Sequence, residues 1–413
     1  MRVAIVGPAY PYKGGGAQHT TELAHRLRAR GHDVVIESWS AQYPARLYPG
    51  RQTIDTPEGA PFPHVRRALS WRRPDGWWRT GRRVARTADV LILAVLSPVQ
   101  VPSYLTILAG ARSARPRPAG ARRSRTGPAD ADDAAPGAGG GNPGLRVVAL
   151  CHNVLPHERR AVDVTLMRTL LRRVDAVLTH SEAQSRLARG LTGPATPVHT
   201  AALPPHLPAA TPPSGTPPSG TPPSAAASGP ADAGRCAGKV TRRLLFFGIV
   251  RPYKGLDVLL RALALGPADV RLTVAGEFWG GTEATERLVG ELGLGGRVEL
   301  RPGYVPAADV PGLFAGADAL VLPYRSATAS QNAWLGFEHG VPVIATRVGA
   351  LADHIRDGVD GLLCAPGDVA DLAKTLDRFY TAGEPERLRA AVHPIDPDPH
   401  WNAYLDALTT LIP

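Results

Sequence analysis

ALVLPYRSATASQNAWLGFEHGVPVIATRVGAL, residues 319–351, is the stretch on which the reading of the fold turns. It opens on a short apolar run, Ala319 to Leu322, closed by Pro323, the pattern of a buried strand. A polar loop follows, and Ala333 to His339 then predicts a short helix with Glu338 on one face. Gly340 stops that helix, Pro342 to Ala345 predicts a second buried strand, and Gly349 marks the next turn. Strand, polar loop, helix, strand is the βαβ grammar of a doubly wound parallel sheet, where ligands sit at the carboxyl ends of strands. The helix begins just beyond Ser330, Gln331 and Asn332. Its first free N–H groups, around Ala333, are therefore expected to face an anion-sized opening.

Upstream, Leu244 to Val250 predicts a strand, and Arg251–Pro252–Tyr253–Lys254–Gly255 opens a helix over Leu256 to Leu265. An arginine and a lysine three apart, at a strand's end and beside a helix N-terminus, have the charge and reach to clamp a diphosphate. Val270 to Ala275 predicts the next strand, with Gly276–Glu277 at its end. Val298 to Leu300 follows, then Gly303–Tyr304–Val305 and a short helix over Asp309 to Ala315. Asp368 to Tyr380 is amphipathic, and Trp401 to Leu411 predicts a last helix.

The N-terminal half repeats the alternation. Val3 to Gly7 predicts a strand, Lys13–Gly14–Gly15–Gly16 a loop in which backbone can approach a ligand, and Ala17 to Arg30 a helix, before a strand at Asp33 to Glu37. The glycine spacing is neither a dinucleotide fingerprint nor a Walker loop. Val90 to Ala111 is uncharged but broken by prolines, and predicts strand, loop and helix rather than a membrane span. Leu145 to Leu150 predicts a strand leading into Cys151–His152–Asn153–Val154–Leu155–Pro156–His157–Glu158. Polar residues at such a strand end are where α/β enzymes place their sites. His152 is a candidate to hydrogen-bond a sugar or acceptor hydroxyl, the alternative being a histidine that ties down the loop; His157 and Glu158 are weaker candidates. Asp163 to Arg173 predicts a helix, Ala176 to Thr179 a strand, and Ser181 caps the next helix. Residues 40–87 show little regular pattern. They place Trp71, Trp77 and Trp78 among arginines, which suits a membrane interface, an acceptor site, or a packed helix with a solvated arginine face.

At 413 residues the chain is long enough for two domains. Its three cysteines, without metal or redox spacing, argue against structural disulfides and for a reducing compartment. The N-terminus reads as a strand and glycine loop rather than a signal peptide. Residues 112–144 and 203–240 are low in complexity, the second carrying TPPSGTPPSGTPPS, an extended spacer that forms no core. The net charge of +11 is uneven: residues 1–200 hold 29 Lys and Arg against 14 Asp and Glu, the remainder 18 against 22. A basic half implies an anionic partner, and no nucleic-acid module is visible, so an anionic membrane surface or a phosphate-bearing acceptor is the expected one.

Gly340–Val341–Pro342–Val343–Ile344–Ala345–Thr346, Arg251–Lys254–Gly255 and the CHNVLPHE run resemble the family-4 retaining glycosyltransferases. The resemblance covers most of residues 1–30, 145–200 and 242–365. It implies an α/β GT-B fold, two Rossmann-like doubly wound parallel-sheet domains facing across a cleft. Residues 1–202 would be the acceptor-side domain, with 112–144 a disordered insertion. Residues 203–241 would be a linker, 242–396 the nucleotide-sugar domain, and 397–413 a terminal helix returning to the first domain. It further implies that Arg251 and Lys254 bind the nucleotide diphosphate and that Gly14, Gly15, Gly16 and Glu277 lie near the donor. Tyr304 would border the base, and Glu338, matching the second of the family's two glutamates, would accept hydrogen bonds from the ribose. Ser330 stands where the first glutamate is usual, so Gln331 and Asn332 are expected to take over its contact with the donor sugar, unless the donor is unusual or activity low. The implied reaction is sugar transfer from a nucleotide-diphosphate sugar to a glycan, lipid-linked or small-molecule hydroxyl, with anomeric configuration retained. No metal, no other cofactor and no nucleic acid are expected, and the location is cytoplasmic, peripheral at the membrane's inner face. The alternatives are a non-catalytic nucleotide-sugar-binding scaffold and an epimerase or hydrolase on the same fold.

Overall fold

The computed structural model describes residues 1–44, 47–48, 50–114, 144–156, 160–206, 240–327 and 330–412. Most of the low-complexity insertion and linker, together with His157 and Glu158, lies outside them. The chain divides into two units, Met1–Pro44 with Phe62–Ala201 and Leu405–Pro413, and Ala45–Pro61 with Ala202–Tyr404. Residues 45–61, which sequence order places in the first domain, thus group with the second.

The first unit is built on seven strands: β1 (Arg2–Val6), β2 (Asp33–Ala41), β3 (Val65–Ser70), β4 (Val90–Val95), β5 (Arg146–Cys151), β6 (Ala176–Thr179) and β7 (Val198–Thr200). They run in the order β3-β2-β1-β4-β5-β6-β7, each neighbour parallel. Helices α1 (Gly15–Ala29), α2 (Pro74–Thr87), α3 (Val101–Ser113), α4 (Ala161–Leu171) and α5 (Glu182–Arg189) make the connections. Every residue of β4 is buried, as expected of a central parallel strand covered on both faces. The strand order reverses between β1 and β4, which puts the topological switch at their carboxyl ends.

Two expectations change here. The glycine loop is shorter than predicted: α1 already starts at Gly15, and only Gly14, at φ +87°, takes a backbone conformation reserved for glycine. A Cβ on Gly16 would lie 2.8 Å from the Leu96 side chain, so this glycine serves helix-to-strand packing. Residues 65–87 are regular, forming the edge strand β3 and α2. Exposed arginines obscured both: β3 carries Arg66 and Arg67 outward, and α2 buries only Thr80, Gly81 and Val84. Helix α2 meets α3 through glycines, because a Cβ on Gly81 would overlap the Ile107 carbonyl and one on Gly110 the Trp78 carbonyl. Among the described residues no helix is long and apolar enough to cross a membrane.

The second unit has six parallel strands: β8 (Arg243–Phe247), β9 (Arg271–Gly276), β10 (Val298–Pro302), β11 (Ala319–Leu322), β12 (Val343–Thr346) and β13 (Gly361–Cys364). Their order is β10-β9-β8-β11-β12-β13. Helices α6 (Leu256–Leu265), α7 (Glu283–Glu291), α8 (Val310–Ala315), α9 (Asn332–Glu338), α10 (Leu351–His354), α11 (Val369–Phe379), α12 (Glu384–Ala390) and α13 (Pro397–Thr409) complete it, α13 passing into the first unit's residues at Leu405. All four residues of β11 and of β12 are buried, each large aliphatic side chain contributing about 1.5–3 kcal/mol by leaving water. The switch point falls between β8 and β11. In α13 the Trp401 indole donates to the Pro205 carbonyl at 2.7 Å, anchoring the helix start within this unit.

Candidate active site

Strand β8 ends at Phe247, and the chain turns at Gly248 with φ +101°. A Cβ there would stand 3.3 Å from Asn332 Nδ2 and 3.5 Å from Lys254 Nζ. The bare Cα of Gly248 therefore marks a point where the end of β8, the following turn and the start of α9 converge, at the switch of the sheet. The turn Arg251–Gly255 is fixed from β11. Gly255, at φ +67°, lies so close to the Pro323 carbonyl that a Cβ would overlap it. The Arg325 N–H donates to the Tyr253 carbonyl at 2.7 Å. The Arg325 guanidinium grips Asp257 with both arms, at 2.7 and 2.6 Å, and also reaches the Pro252 carbonyl at 2.9 Å.

Two cations project from this turn. Lys254 Nζ lies 5.1 Å from the ring centre of Tyr324, and Arg251 Cζ lies 5.0 Å from that of Trp279. Burial works against the Lys254 ammonium, but the phenolic oxygens of Tyr324 and Tyr253 outweigh it and its pKa is raised, so it stays charged at neutral pH. The nearest acid in sequence, Asp257, has its carboxyl held below the usual range by the hydrogen-bonded Arg325. Asp257 is thereby engaged by Arg325 rather than by the turn's own cations. Asn332 ties the point together: its Nδ2 donates to the Phe247 carbonyl at 2.9 Å and to the Tyr324 hydroxyl at 3.2 Å.

The rest of the signature loop departs from expectation. Ser330 Oγ accepts the Asn332 N–H at 3.3 Å, so the first donor of α9 is engaged, and seven residues make only two turns of helix. An open phosphate cradle at Ala333, itself buried, is not what this geometry offers. Gln331 does not take over a glutamate's role. Its Oε1 accepts from the His206 N–H at 3.2 Å, and its Nε2 donates to the Pro204 carbonyl at 3.3 Å, committing both ends of the amide to main chain. Glu338 is exposed and closes α9, about 9 Å along the helix axis from Asn332. The structure does not bring it to the clamp.

Glu277 and Tyr304 sit at the carboxyl ends of β9 and β10, as predicted, and both meet residues 50–58. The Arg51 N–H donates to Glu277 Oε1 at 3.1 Å, and the Tyr304 hydroxyl donates to the Glu58 carboxylate. Burial first, then Glu58, pushes the Tyr304 phenol pKa up.

In the first unit His152 follows β5 and belongs to a group the sequence reading missed. Its ring centre lies 4.8 Å from that of His19 on α1 and 4.9 Å from that of His180 after β6; His19 and His180 are 5.8 Å apart. His19 is 0 % and His180 4 % exposed. The rule that singled out His152, a polar residue ending a buried strand, applies equally to His180. His19 carried no such signal, because on a helix it reads as one polar position among several. A cavity of about 230 Å³ lined by Arg2, Asp33, His64 and Arg66 lies at the amino ends of β1, β2 and β3, the opposite edge from these residues.

Two doubly wound parallel sheets, each with polar residues gathered at its carboxyl edge, define the class of GT-B proteins. Anabaena HepE, solved with UDP and glucose, superposes with a TM-score of 0.66 over 99% of this chain and all of that one, at 14% identity. Sucrose-phosphate synthase from Thermosynechococcus elongatus gives 0.62 over 99% and 97% of the two chains, at 16% identity. Residues 241–382, within the second unit, match the family model of glycosyl transferases group 1. A D-inositol 3-phosphate glycosyltransferase of Mycobacterium sp. (strain KMS) is 38% identical over 151 residues, 36% of this chain and 34% of the relative. The chain thus spans about a third of the curated relatives' length in these matches.

Proposed function

We propose that the protein is a glycosyltransferase that takes a sugar from a nucleotide-diphosphate sugar and passes it to a hydroxyl acceptor with retention of configuration. The observation that carries this reading is the convergence of Gly248, Lys254 and Asn332 beside Arg251 at the β8–β11 switch. Departure of a nucleoside diphosphate builds negative charge on the leaving phosphate. Arg251 and Lys254, fixed before the donor arrives, would stabilise that charge without reorganising. They would supply what a metal ion supplies elsewhere, so we include metal independence in the proposal. Tyr324 orients Lys254 and is itself held by Asn332, and the Gly248 Cα leaves room for a phosphate to approach the backbone. His152 is assigned to the acceptor side, as a hydrogen-bond partner for a hydroxyl.

The curated relatives act on D-inositol 3-phosphate, which makes a small phosphorylated polyol the first acceptor to try, ahead of lipid-linked glycans. The exposed arginines and tryptophans of β3 and α2 support peripheral contact with an anionic membrane at its inner face.

The test is product analysis. UDP-, GDP- and dTDP-sugars are incubated with D-inositol 3-phosphate and a panel of glycosides, and products are read by mass spectrometry and anomeric proton NMR. A new glycoside with the donor's anomeric configuration supports the reading, and an inverted product sinks the retaining mechanism. Ser330 in place of a glutamate and the exposure of Glu338 favour one second reading, a nucleotide-sugar-binding protein that transfers nothing. It predicts donor binding without product against every acceptor.

A further inference from the structure

We propose that Tyr48 and Trp279 are positioning residues for Arg251, so that a short strap from the first half of the chain completes the donor clamp of the second unit. The inference rests on the reading of Arg251 as a diphosphate ligand and adds residues that no sequence motif marks. Backbone pairing of β8 with β9 runs on past both strands: the Val250 N–H donates to the Glu277 carbonyl at 2.8 Å and the Trp279 N–H to the Val250 carbonyl at 3.4 Å. This register sets Arg251 beside Trp279, with the guanidinium carbon 5.0 Å from the indole centre. The Tyr48 ring packs edge-on against the same indole, centres 4.4 Å apart at 69°. A Cβ on Gly50 would lie 3.0 Å from Trp279 Nε1 and 2.8 Å from Glu277 Oε2, so the strap backbone lies directly against this corner. The Arg51 N–H and Glu58 then hold the strap to Glu277 and Tyr304. Tyr48 is mostly buried, its phenol pKa pushed up to about 12 by burial and by Glu277, so its ring faces the corner uncharged.

An arginine side chain sweeps a large volume unless something holds its plane. An indole face does so by cation–π attraction, provided the indole cannot turn. Tyr48 stops that rotation. The contacts therefore run from the strap through Tyr48 and Trp279 to the cation that meets the diphosphate. Tyr48 touches no ligand in this scheme; it acts through Trp279.

The experiment is isothermal titration of the full chain with UDP, GDP and dTDP and with the matching monophosphates. The readout is the ratio of diphosphate to monophosphate affinity for the base that binds best. Arg251→Ala measures how much of that ratio the guanidinium supplies. Tyr48→Ala and Trp279→Ala are expected to lower the ratio by about five- to thirtyfold, the range for a desolvated cation–π contact. Tyr48→Phe, which keeps the ring, is expected to restore it. Trp279→Phe guards against a variant that fails to fold, and is expected to give an intermediate ratio. A Tyr48→Ala protein that melts lower but keeps the wild-type ratio, while Arg251→Ala loses it, overturns the positioning role. If Arg251→Ala keeps the ratio, or the wild type binds no nucleotide, the clamp reading itself falls and takes this inference with it.

Discussion

Gly255 shows how little freedom the clamp residues have. Its φ of +67° costs a side-chain-bearing residue about 1–2 kcal/mol, and a Cβ would also overlap the Pro323 carbonyl. Gly255→Ala is expected to lower stability by about 2–4 kcal/mol once overpacking is added, read as a shift in denaturant midpoint at constant slope. Lys254 is proposed to have the opposite character, serving the ligand rather than the fold. Lys254→Ala is expected to cost about 1.5–3 kcal/mol of nucleotide-diphosphate affinity, the range for a charge-assisted hydrogen bond, with monophosphate binding affected less. His354 gives a pH prediction away from the clamp. Burial first, and His400 second, lower its pKa to about 4, and its ring lies 4.1 Å from that of Trp334 in α9. The unfolded imidazole titrates near 6.5, so between pH 6.5 and 4 the unfolded state binds more protons and is favoured as pH falls. His354 should thus contribute on the order of 3 kcal/mol at pH 7 that is gone by pH 4. Urea titrations of the wild type and His354→Phe at pH 7 and pH 4.5 would show it, the wild type losing more stability than the variant.

Helix α9 is the element on which the sequence reading and the structure differ most usefully. Its existence was legible, because a short apolar strand, a polar loop and a stopping glycine are local signals. The roles along it were not. Ser330, Gln331 and Asn332 are three polar residues in a row, and only the folded chain shows which meets main chain and which meets the clamp. Gln331 is engaged by Pro204 and His206, more than a hundred residues away, and Asn332 by Phe247. Asn332→Ala is therefore expected to weaken nucleotide binding and to cost about 1–2 kcal/mol of stability, as the partly buried Phe247 carbonyl loses its side-chain donor. Glu338→Gln should change both less, in a titration and a melting curve run side by side. A larger effect from Glu338→Gln would return the ribose role to that residue. The place of the Arg251–Gly255 turn, by contrast, was readable, since strand end and helix start fall within a few residues. The contacts of Tyr48, Arg51 and Glu58 were not, because the latter two join residues 226 and 246 positions apart in the chain. No local periodicity encodes such a pairing. The histidine trio was half legible, since His152 and His180 each end a strand while His19 is brought to them only by the packing of α1.

For the whole molecule, the uneven charge now has an address. Trp71 and Trp78 are 39 % and 40 % exposed, and Arg66, Arg67, Arg72, Arg73, Arg79 and Arg82 are exposed along β3, α2 and their connection. Part of this charge is structural: Arg83 grips the fully buried Glu37 carboxylate at 3.1 and 2.6 Å, and Arg66 reaches it at 3.4 Å. Arg73 and Arg79 are shared with the exposed Asp75, and the proposed lipid contact would be made by this mixed, net-positive surface. Vesicles containing phosphatidylserine should sediment the protein at low salt and release it as salt rises, with Trp71→Ser/Trp78→Ser reducing the bound fraction. Equal binding to neutral vesicles would contradict an electrostatic contact. The central claim, a nucleotide-diphosphate clamp at the β8–β11 switch, is tested most directly by thermal shift with UDP-, GDP- and dTDP-sugars, wild type beside Arg251→Ala/Lys254→Ala. A ligand that binds only the folded chain raises its stability by mass action, so the true donor should raise the melting temperature by a few degrees in the wild type and not in the double variant. No shift with any donor, or the same shift in both proteins, would contradict the clamp.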